Sequence, residues 1–528
     1  MTNKEISGLI KLTGQLMELH GENKFKTKSY SNASFQIGKN PKPLDSLSVP
    51  ELEGTFGLGK SIAAKVFEMT TTGKLEVLEE HINKTPKGVL DILSVKGVGA
   101  SKVRVLWKDM EIESLGELLQ LCEENRLVEV KGFGAKTQES IKQNIQYRIS
   151  SEGKFHYASA ENMALQLVNQ LRNQFPDAQV ELTGEIRRKC EIIEQINILI
   201  SSENTIDIPE IETNIPIVFH HCKPNEFGSV QLRITGSESH VNSLNIPDGI
   251  STEEEVYKQN GMPYIEPELR EGLSEIEWAK TNSLPELVKD SDLKGIVHNH
   301  STYSDGRNTL EEMAVACRDL GMEYFGIADH SKTAVYANGL YPEDVLKQHQ
   351  EIDELNKKLA PFKILKGIES DILYDGSLDY EEDILRKFDY VVASVHSQLK
   401  MDEEKANARL ITAIENPYTT ILGHPTSRLL LSRKGYPINH KKIIDACSAN
   451  NVVIEINANP LRLDLDWRHI QYALEKNVML SINPDAHNID GFTHMHYGTC
   501  VARKGGLNKE MTFNALSLKE MEIYLNKG

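Results

Sequence analysis

Seven short apolar, β-branched runs in the last half of the chain most constrain how it can fold. Helix-period stretches such as TLEEMAVACRDLG and KKIIDACSANN separate these runs. Strands that are apolar throughout and alternate with helices are typical of a parallel sheet covered on both faces, and seven in succession predict a TIM-like barrel. The predicted strands are residues 294–297, 323–328, 363–368, 390–395, 419–422, 452–456 and 478–482.

Nine potential metal-binding side chains fall, nearly all, where one of these strands would end. A single histidine beside an apolar run is more often a core or loop residue, but that explanation does not suit a whole set. Barrels of parallel strands carry their chemistry at the C-terminal strand ends, so we predict that the set forms one site. Its members are His298, His300, Asp305, His330, Glu369, His396, His424, Asp485 and His487.

The ligand types indicate the chemistry of this site. Imidazole and carboxylate without thiolate favour Zn²⁺, Mn²⁺ or Fe²⁺ over a structural zinc site. Nine ligands exceed the needs of one ion, so we expect two or three. Such a cluster binds the non-bridging oxygens of a phosphate, lowers the pKa of a bound water and stabilises an in-line displacement. The predicted reaction is phosphoester hydrolysis.

Three similar glycine turns in the first 150 residues, at 54–69, 94–110 and 129–145, each precede an amphipathic helix. The glycines permit positive φ and leave backbone N–H groups exposed at a helix N-terminus, where an anion is favoured. Such a turn binds a nucleic-acid phosphate without reading a base. Glycine turns that merely connect packed helices are the alternative. The predicted DNA contacts are Gly57, Gly59, Lys60, Lys65, Gly97, Gly99, Lys102, Gly132, Gly134 and Lys136.

Length, charge and cysteine usage limit the other possibilities. A chain of 528 residues should contain three or four domains. Neither a signal core nor a membrane-spanning run is visible, and six scattered cysteines suit a reduced cytosol, so we expect a cytoplasmic protein. The net charge is −18, yet residues 1–150 hold 21 basic against 19 acidic side chains. Nucleic-acid contacts are therefore expected at the front end, through local basic loops.

The order HNHSTYSDG, ADHS, GIESD, SVHS, GHPT and PDAH over residues 291–528 closely resembles the PHP domain, named for polymerases and histidinol phosphatases. The resemblance implies a distorted (β/α)7 barrel with three metals. It places one metal on His298, His300, Glu369 and Asp485, a second on Glu369, His396 and His424, and a third on Asp305, His330 and His487. Glu369, Asp305 and His330 are the predicted catalytic residues.

The three turns look like helix-hairpin-helix motifs. Together with KFKTKSYSNASF, residues 1–150 resemble the eight-kilodalton and fingers regions of family X DNA polymerases. Bacterial and archaeal members of that family have a PHP domain after the polymerase core, so the resemblance covers nearly the whole chain. Lys65 matches the family's lyase lysine, which forms a Schiff base with an abasic sugar; a simple phosphate contact is the alternative.

The palm departs from the family pattern. ELTGEIRRKCEIIEQINILI matches the nucleotidyltransferase stretch, but Gln195 and Asn197 occupy the two aspartate positions and Glu185 replaces a serine. Gln231 holds the expected third carboxylate position. Neutral amides are poor Mg²⁺ ligands, and the family's nucleotide pocket is missing between residues 236 and 267. We therefore expect a palm that does not polymerise.

These features predict a multidomain α/β chain. We expect an eight-kilodalton-like helix-hairpin-helix domain at 1–80, a fingers-like one at 81–150, a degenerate α+β palm with a short thumb at 151–280, a linker at 281–293 and a PHP domain at 294–528. The expected function is a metal-dependent DNA phosphoesterase, a 3′→5′ exonuclease with abasic-site or 3′-end processing as further options, that binds DNA without sequence preference. The alternatives are a gap-filling polymerase, a histidinol-phosphate-type phosphatase and a non-enzymatic DNA-binding adaptor.

Overall fold

The fold is taken from a computed structural model, which describes residues 1–39, 43–44, 47–56, 58–150, 153–204, 206, 208, 211 and 213–526. The chain forms two compact units. One comprises Met1–Glu123 with Leu127–Gln146, and the other comprises Glu124–Arg126 with Tyr147–Gly528.

The first unit is helical. Its first helix begins with a capping box in which Thr2 and Glu5 bond to each other's backbone N–H groups, and it buries Ile6, Ile10 and Leu16 on one face. Apolar residues at this spacing place one stripe of a helix against its neighbour. The helices that begin in this unit are α1 (Asn3–Leu19), α2 (Lys24–Lys39), α3 (Val49–Phe56), α4 (Lys60–Thr72), α5 (Glu76–Asn83), α6 (Lys87–Leu93), α7 (Ala100–Lys108), α8 (Leu115–Glu123) and α9 (Ala135–Ser150).

The second unit begins with a small α+β region at the predicted palm. Its main sheet has the order β2-β4-β5, with β2 antiparallel and β5 parallel to β4; β1 pairs with β3 separately. The central strand β4 is buried at every position, as its sequence INILIS requires. The elements are β1 (Phe155–His156), α10 (Tyr157–Gln174), β2 (Gln179–Thr183), α11 (Gly184–Arg187), β3 (Ile192–Ile193), β4 (Ile196–Ser201), β5 (Ile217–Cys222), α12 (Phe227–Thr235), α13 (Glu238–Asn242), α14 (Glu253–Gln259) and α15 (Glu275–Lys280).

The rest of the second unit is built from parallel strands with helices between them, as predicted. Its strands are β6 (Gly295–Ile296), β7 (Tyr324–Gly326), β8 (Lys363–Leu365), β9 (Gly367–Asp371), β10 (Tyr390–Ser394), β11 (Ile421–Leu422), β12 (Val453–Asn457) and β13 (Leu480–Asn483). Its helices are α16 (Leu310–Asp319), α17 (Pro342–Leu359), α18 (Glu382–Leu385), α19 (Glu403–Ile414), α20 (His440–Asn450), α21 (Ile470–Glu475), α22 (Met495–Lys504) and α23 (Leu518–Leu525).

These strands form two curved sheets, β6-β7-β8 and β9-β10-β11-β12-β13. The third predicted run is divided at Lys366, so its first half pairs with β7 and its second half with β10. Single parallel bridges, Asn299 to Ala486 and His330 to Glu369, join the two sheets at the carboxyl ends of the strands. The strands therefore form a distorted barrel, with one apolar cluster on their inner side and a second between the strands and the surrounding helices.

The stretch predicted as a linker, 281–293, is packed against the barrel. Val288 is fully buried in the apolar layer between the barrel strands and the helices, and its N–H donates to the carbonyl of Leu507 at 2.9 Å. Leu293 is also buried there. No helix of the described part of the chain is long and apolar enough to cross a membrane.

Candidate metal centre

The carboxyl ends of the barrel strands bring all nine predicted ligands together. Each side chain is buried or nearly so, the most exposed being His396 at 11%. The barrel topology accounts for this, because parallel strands end at the same rim. His298, His300 and Asp305 follow β6, His330 follows β7, Glu369 lies in β9, His396 follows β10, His424 follows β11, and Asp485 and His487 follow β13.

Glu369 lies at the middle of the cluster, and imidazole nitrogens surround both of its oxygens. Five histidines contact it. Oε1 lies 3.2 Å from Nε2 of His298 and 3.0 Å from Nε2 of both His396 and His424, and Oε2 lies 2.9 Å from Nδ1 of His330 and 3.7 Å from Nε2 of His300. A carboxylate in this position can bridge two cations.

Two further carboxylates lie on either side of Glu369. Asp485 Oδ1 is 3.0 Å from Nε2 of His300, and Asp305 Oδ1 is 3.4 Å from Nε2 of His487. Three groups have donor atoms close enough to share an ion: His298, His300 and Asp485; His330, Glu369 and His396; and His300, Asp305, His330 and His487.

The donor set fits divalent cations. Six of its buried atoms lie near other ligand atoms but form no hydrogen bond of normal geometry, and a buried polar atom left in this way costs free energy unless another partner binds it. The atoms are His298 Nε2, His300 Nδ1, Asp305 Oδ2, His330 Nδ1, Glu369 Oε2 and His487 Nε2. Imidazole and carboxylate are the ligands that Zn²⁺, Mn²⁺ and Fe²⁺ accept.

The electrostatics of the cluster favour ionised carboxylates. Burial alone raises the pKa of Glu369, but the imidazoles of His396 and His298 lower it well below its usual range. The pKa of Asp485 is lowered in the same way. Burial and the neighbouring His487 lower the pKa of His300 to about 4, which keeps that imidazole neutral and able to bind a cation.

Sequence reasoning missed three buried carboxylates behind the ligands. Asp371 accepts a hydrogen bond from Nδ1 of His396. Asp329 accepts from the backbone and hydroxyl groups of Ser301 and Ser304, and so holds the turn that leads to Asp305. The third is Glu455, on β12. The available signal was a charged residue inside or directly after an apolar run, as in VVIEINAN and FGIADHS.

The glycine turns are a second candidate site, in the first unit. Gly97 and Gly132 have positive φ, +94° and +95°, and each turn is closed by a backbone hydrogen bond across four residues. Gly59 and Gly99 are the N-caps of α4 and α7, and Gly134 directly precedes α9.

The lysines predicted to contact DNA differ in exposure. Lys60 and Lys136 are exposed, Lys65 is half-buried, and Lys102 lies 4.8 Å from the ring centre of Phe133. Gly57 lies outside the described residues.

The two amides at the positions where the family pattern predicts aspartates bond to each other. Gln195 Nε2 donates to Oδ1 of Asn197 at 3.0 Å, and Nε2 of His220 lies 3.0 Å from the same oxygen. Glu185 lies in α11, where its carboxylate accepts from the N–H of Glu194. Gln231 lies in helix α12 and not in a strand of the palm sheet, so it is not aligned beside Asn197 on a neighbouring strand.

Models of known protein families match three parts of the chain. Residues 297–459 match the PHP domain, residues 1–75 a helix-hairpin-helix domain and residues 89–146 a SAM-like helix-hairpin-helix tandem. The predicted PHP and helix-hairpin-helix domains are therefore confirmed.

Whole proteins show the same relationship. A Bacillus subtilis (strain 168) protein named DNA polymerase/3′-5′ exonuclease PolX is 31% identical, and the match covers 100% of both chains. A probable phosphatase of Acetivibrio thermocellus is 33% identical over 172 residues, which are 31% of this chain and 66% of that protein. A solved histidinol phosphate phosphatase (HISK) from Lactococcus lactis subsp. lactis Il1403, complexed with zinc, L-histidinol and phosphate, matches 41% of this chain and 94% of its own at 16% identity, with a TM-score of 0.33. The full-length match shows that the chain belongs to the PolX family, with two helix-hairpin-helix modules and a PHP domain.

Proposed function

We propose that the chain is a metal-dependent DNA phosphoesterase that releases nucleotides from DNA 3′ ends in repair. The observation that supports this most is the group of nine buried ligands around Glu369, in a chain that also has helix-hairpin-helix modules. The names of the relatives, an exonuclease and a phosphatase, describe the same class of reaction.

The residues of the centre would have different roles in holding the ions. When bound, divalent ions supply an activated water and bind the phosphate oxygens. Glu369 would contribute to two metal sites, because its two oxygens face different histidines. Asp305 and His330, 3.6 Å apart, would hold the third site near the rim of the barrel. The buried walls exclude bulk water, which strengthens each electrostatic contact.

The charge of the centre supports two to three ions. Asp305, Glu369, Asp371, Glu455 and Asp485 all have lowered pKa values, although burial opposes the shift in each. The neighbouring imidazoles cause these shifts, and five carboxylates offer more negative charge than one divalent cation can neutralise. Mn²⁺, Zn²⁺ and Fe²⁺ are the candidates.

A non-polymerising palm is part of the proposal. Asn197 offers its one side-chain oxygen to both Gln195 and His220, so no anionic oxygen is available there for Mg²⁺. This favours an exonuclease over a gap-filling polymerase. The three glycine turns favour a DNA substrate over a small phosphomonoester, and an adaptor role would leave nine clustered ligands without use.

Metal analysis and an end-labelled duplex test the proposal together. We expect the purified protein to contain two to three transition-metal ions and to shorten a labelled strand from its 3′ end. Glu369→Ala should abolish the activity because it removes a carboxylate shared between ions, whereas Glu354→Ala, at an exposed position of α17, should not. Less than one ion per chain, or full activity in Glu369→Ala, would contradict the proposal.

Primer extension on gapped DNA tests the palm separately. The assay uses Glu369→Ala, in which no nuclease can degrade the new strand, with Mg²⁺ and then with Mn²⁺. We expect no incorporation, because Gln195 and Asn197 offer no carboxylate. Template-directed synthesis would show that the palm is active.

A further inference from the structure

Strand β12 of the barrel contributes none of the nine ligands. Its third residue is nevertheless a glutamate, Glu455, which is fully buried at 0% exposure between apolar neighbours. An ionised carboxylate in such a place must be neutralised by hydrogen bonds or charge, because burial without partners costs several kcal/mol. What Glu455 contacts therefore indicates its role.

Four donors surround the two oxygens of Glu455. Oε2 lies 2.5 Å from Nδ1 of His298 and 2.8 Å from Nδ2 of Asn483. Oε1 accepts from the backbone N–H of His424 at 3.1 Å and from Nδ2 of Asn457 at 2.9 Å. Two of these donors belong to metal-ligand residues that come from different strands, β6 and β11.

The bond to His298 determines which nitrogen of the ring can bind a cation. Because Glu455 accepts the proton of Nδ1, Nε2 is the nitrogen that is left to bind a cation. Nε2 has no hydrogen-bond partner and lies 3.2 Å from Glu369 Oε1 and 3.7 Å from Asp485 Oδ1. A histidine that binds a metal through one nitrogen and a carboxylate through the other is held in one tautomer and one orientation.

We propose that Glu455 is a positioning residue of the metal centre, which fixes His298 for coordination through Nε2 and joins it to the His424 loop. Asn457 extends the connection, since its Nδ2 also lies 3.1 Å from Oδ2 of Asp485. Glu455 thus links three of the segments that supply ligands. The role rests on the proposed function, in that it presupposes a metal-loaded centre.

The four donors require a carboxylate at this position. A glutamine would have one oxygen and one NH₂ group, so its NH₂ would face either His298 and Asn483 or His424 and Asn457, all of which donate. If the NH₂ faced His298, the ring would have to carry its proton on Nε2, the atom needed by the metal. Glu455→Gln therefore changes little in volume and reverses one half of the hydrogen-bond pattern.

The palm region offers a matched control. Glu275 is 1% exposed and its Oε1 lies 2.7 Å from Nδ1 of His240, which is also fully buried. Nε2 of His240 is bonded to the hydroxyl of Tyr257 at 2.8 Å and belongs to no group that could hold a metal in the described part of the chain. Glu275→Gln makes the same chemical change in the same kind of pair, away from the centre.

The first test is Co²⁺ titration of the metal-stripped full-length protein, followed by visible absorption and by calorimetry. We expect Glu455→Gln to weaken Co²⁺ binding about 10- to 100-fold at one class of site, with an altered spectrum. Glu275→Gln should lower the melting temperature and leave Co²⁺ affinity and spectrum as in the wild type. Wild-type affinity and spectrum in Glu455→Gln would overturn the role, even if the chain proved to be an active nuclease.

Imidazole ¹⁵N NMR of the Zn²⁺-loaded wild type provides a second test that needs no variant at Glu455. The His298 signals are assigned by their loss in His298→Gln. We expect Nδ1 to carry the proton and Nε2 to bear the metal. A proton on Nε2 would overturn the proposal. This result does not depend on whether Glu455→Gln folds. Failure of the wild type to bind Zn²⁺ or Co²⁺ at all would instead count against the proposed function.

Discussion

Three ligand residues adopt backbone conformations that residues other than glycine rarely use. φ is +61° at His298, +52° at Asp485 and +22° at His424. Each such conformation costs about 1–3 kcal/mol and persists only where surrounding contacts enforce it. At His298 the backbone N–H donates to the hydroxyl of the buried Tyr390 at 3.3 Å. The positive φ values are consistent with strand ends that turn sharply to direct side chains inward.

Gly306 lies against the backbone of His300, beside the group formed by His300, Asp305, His330 and His487. A Cβ at Gly306 would lie 2.5 Å from the carbonyl oxygen of His300, so Gly306→Ala must displace the turn that carries Asp305. We expect the variant to lose up to one metal ion per chain, measured by plasma mass spectrometry, and to lose about 1–3 kcal/mol of stability. Gly8→Ala, where a Cβ meets nothing within 4 Å, is the control. Unchanged metal content in Gly306→Ala would contradict this.

At this scale the sequence predicts the candidate ligands but not the buried carboxylates that contact them. Histidines at strand ends form a pattern that can be recognised, and the structure places all nine predicted ligands in one cluster. Glu455 and Asp371 form no pattern, because a lone carboxylate in or beside a strand has no periodicity. Its role depends on partners such as His298, 157 positions away in the chain.

A buried ion-pair group joins helix α11 of the palm to two segments that follow the palm sheet. Glu253, in α14, is 4% exposed and pairs with Arg187 of α11 at 2.6 Å and with the fully buried Arg270 at 2.5 Å. Burial alone would raise the pKa of Glu253, but the two guanidinium groups lower it to about 2. This carboxylate therefore stabilises the fold only while it is ionised.

Acid should remove that contribution over a defined range. The pKa of Glu253 is lower in the folded state, so its contribution is complete above about pH 4.5 and is lost as the pH falls towards 2. Glu253→Gln should cost about 3–5 kcal/mol at pH 7, since it leaves two arginines without a buried partner. Urea unfolding at pH 7, 5 and 3 should show the difference from wild type shrinking at pH 3. Glu254→Gln, at an exposed position, should show no such trend. A difference between Glu253→Gln and wild type that stays constant with pH would contradict the prediction.

Elements could be predicted only where the pattern is local. Apolar runs indicated the barrel strands, but the division of the third run at Lys366 depends on pairing with two different neighbours, β7 and β10. The packing of Val288 into the layer between strands and helices depends likewise on Leu507, far along the chain. Such long-range contacts are not encoded in the periodicity of a segment.

At the scale of the whole molecule, net charge is distributed unevenly along the chain. Residues 1–150 have a net charge of +2 and the remainder has −20, although the centre in the barrel is expected to act on a polyanion. Backbone contacts at the glycine turns would offset the repulsion between DNA and the acidic remainder. Because each phosphate contact releases counterions, DNA affinity should fall steeply with salt and depend little on sequence.

The last prediction separates DNA binding from hydrolysis in the full-length chain. A Cβ at Gly99 or Gly134 would meet nothing within 4 Å, so Gly99→Val with Gly134→Val should fold while covering the N–H groups at two helix N-termini. Losing two phosphate contacts should reduce the slope of log affinity against log salt by about 2, measured by fluorescence anisotropy. Turnover of bis(p-nitrophenyl) phosphate should not change, because that substrate needs only the metal centre. Gly8→Val, at an open position of α1, is the control. An unchanged salt slope in the double variant would mean that the turns only connect packed helices.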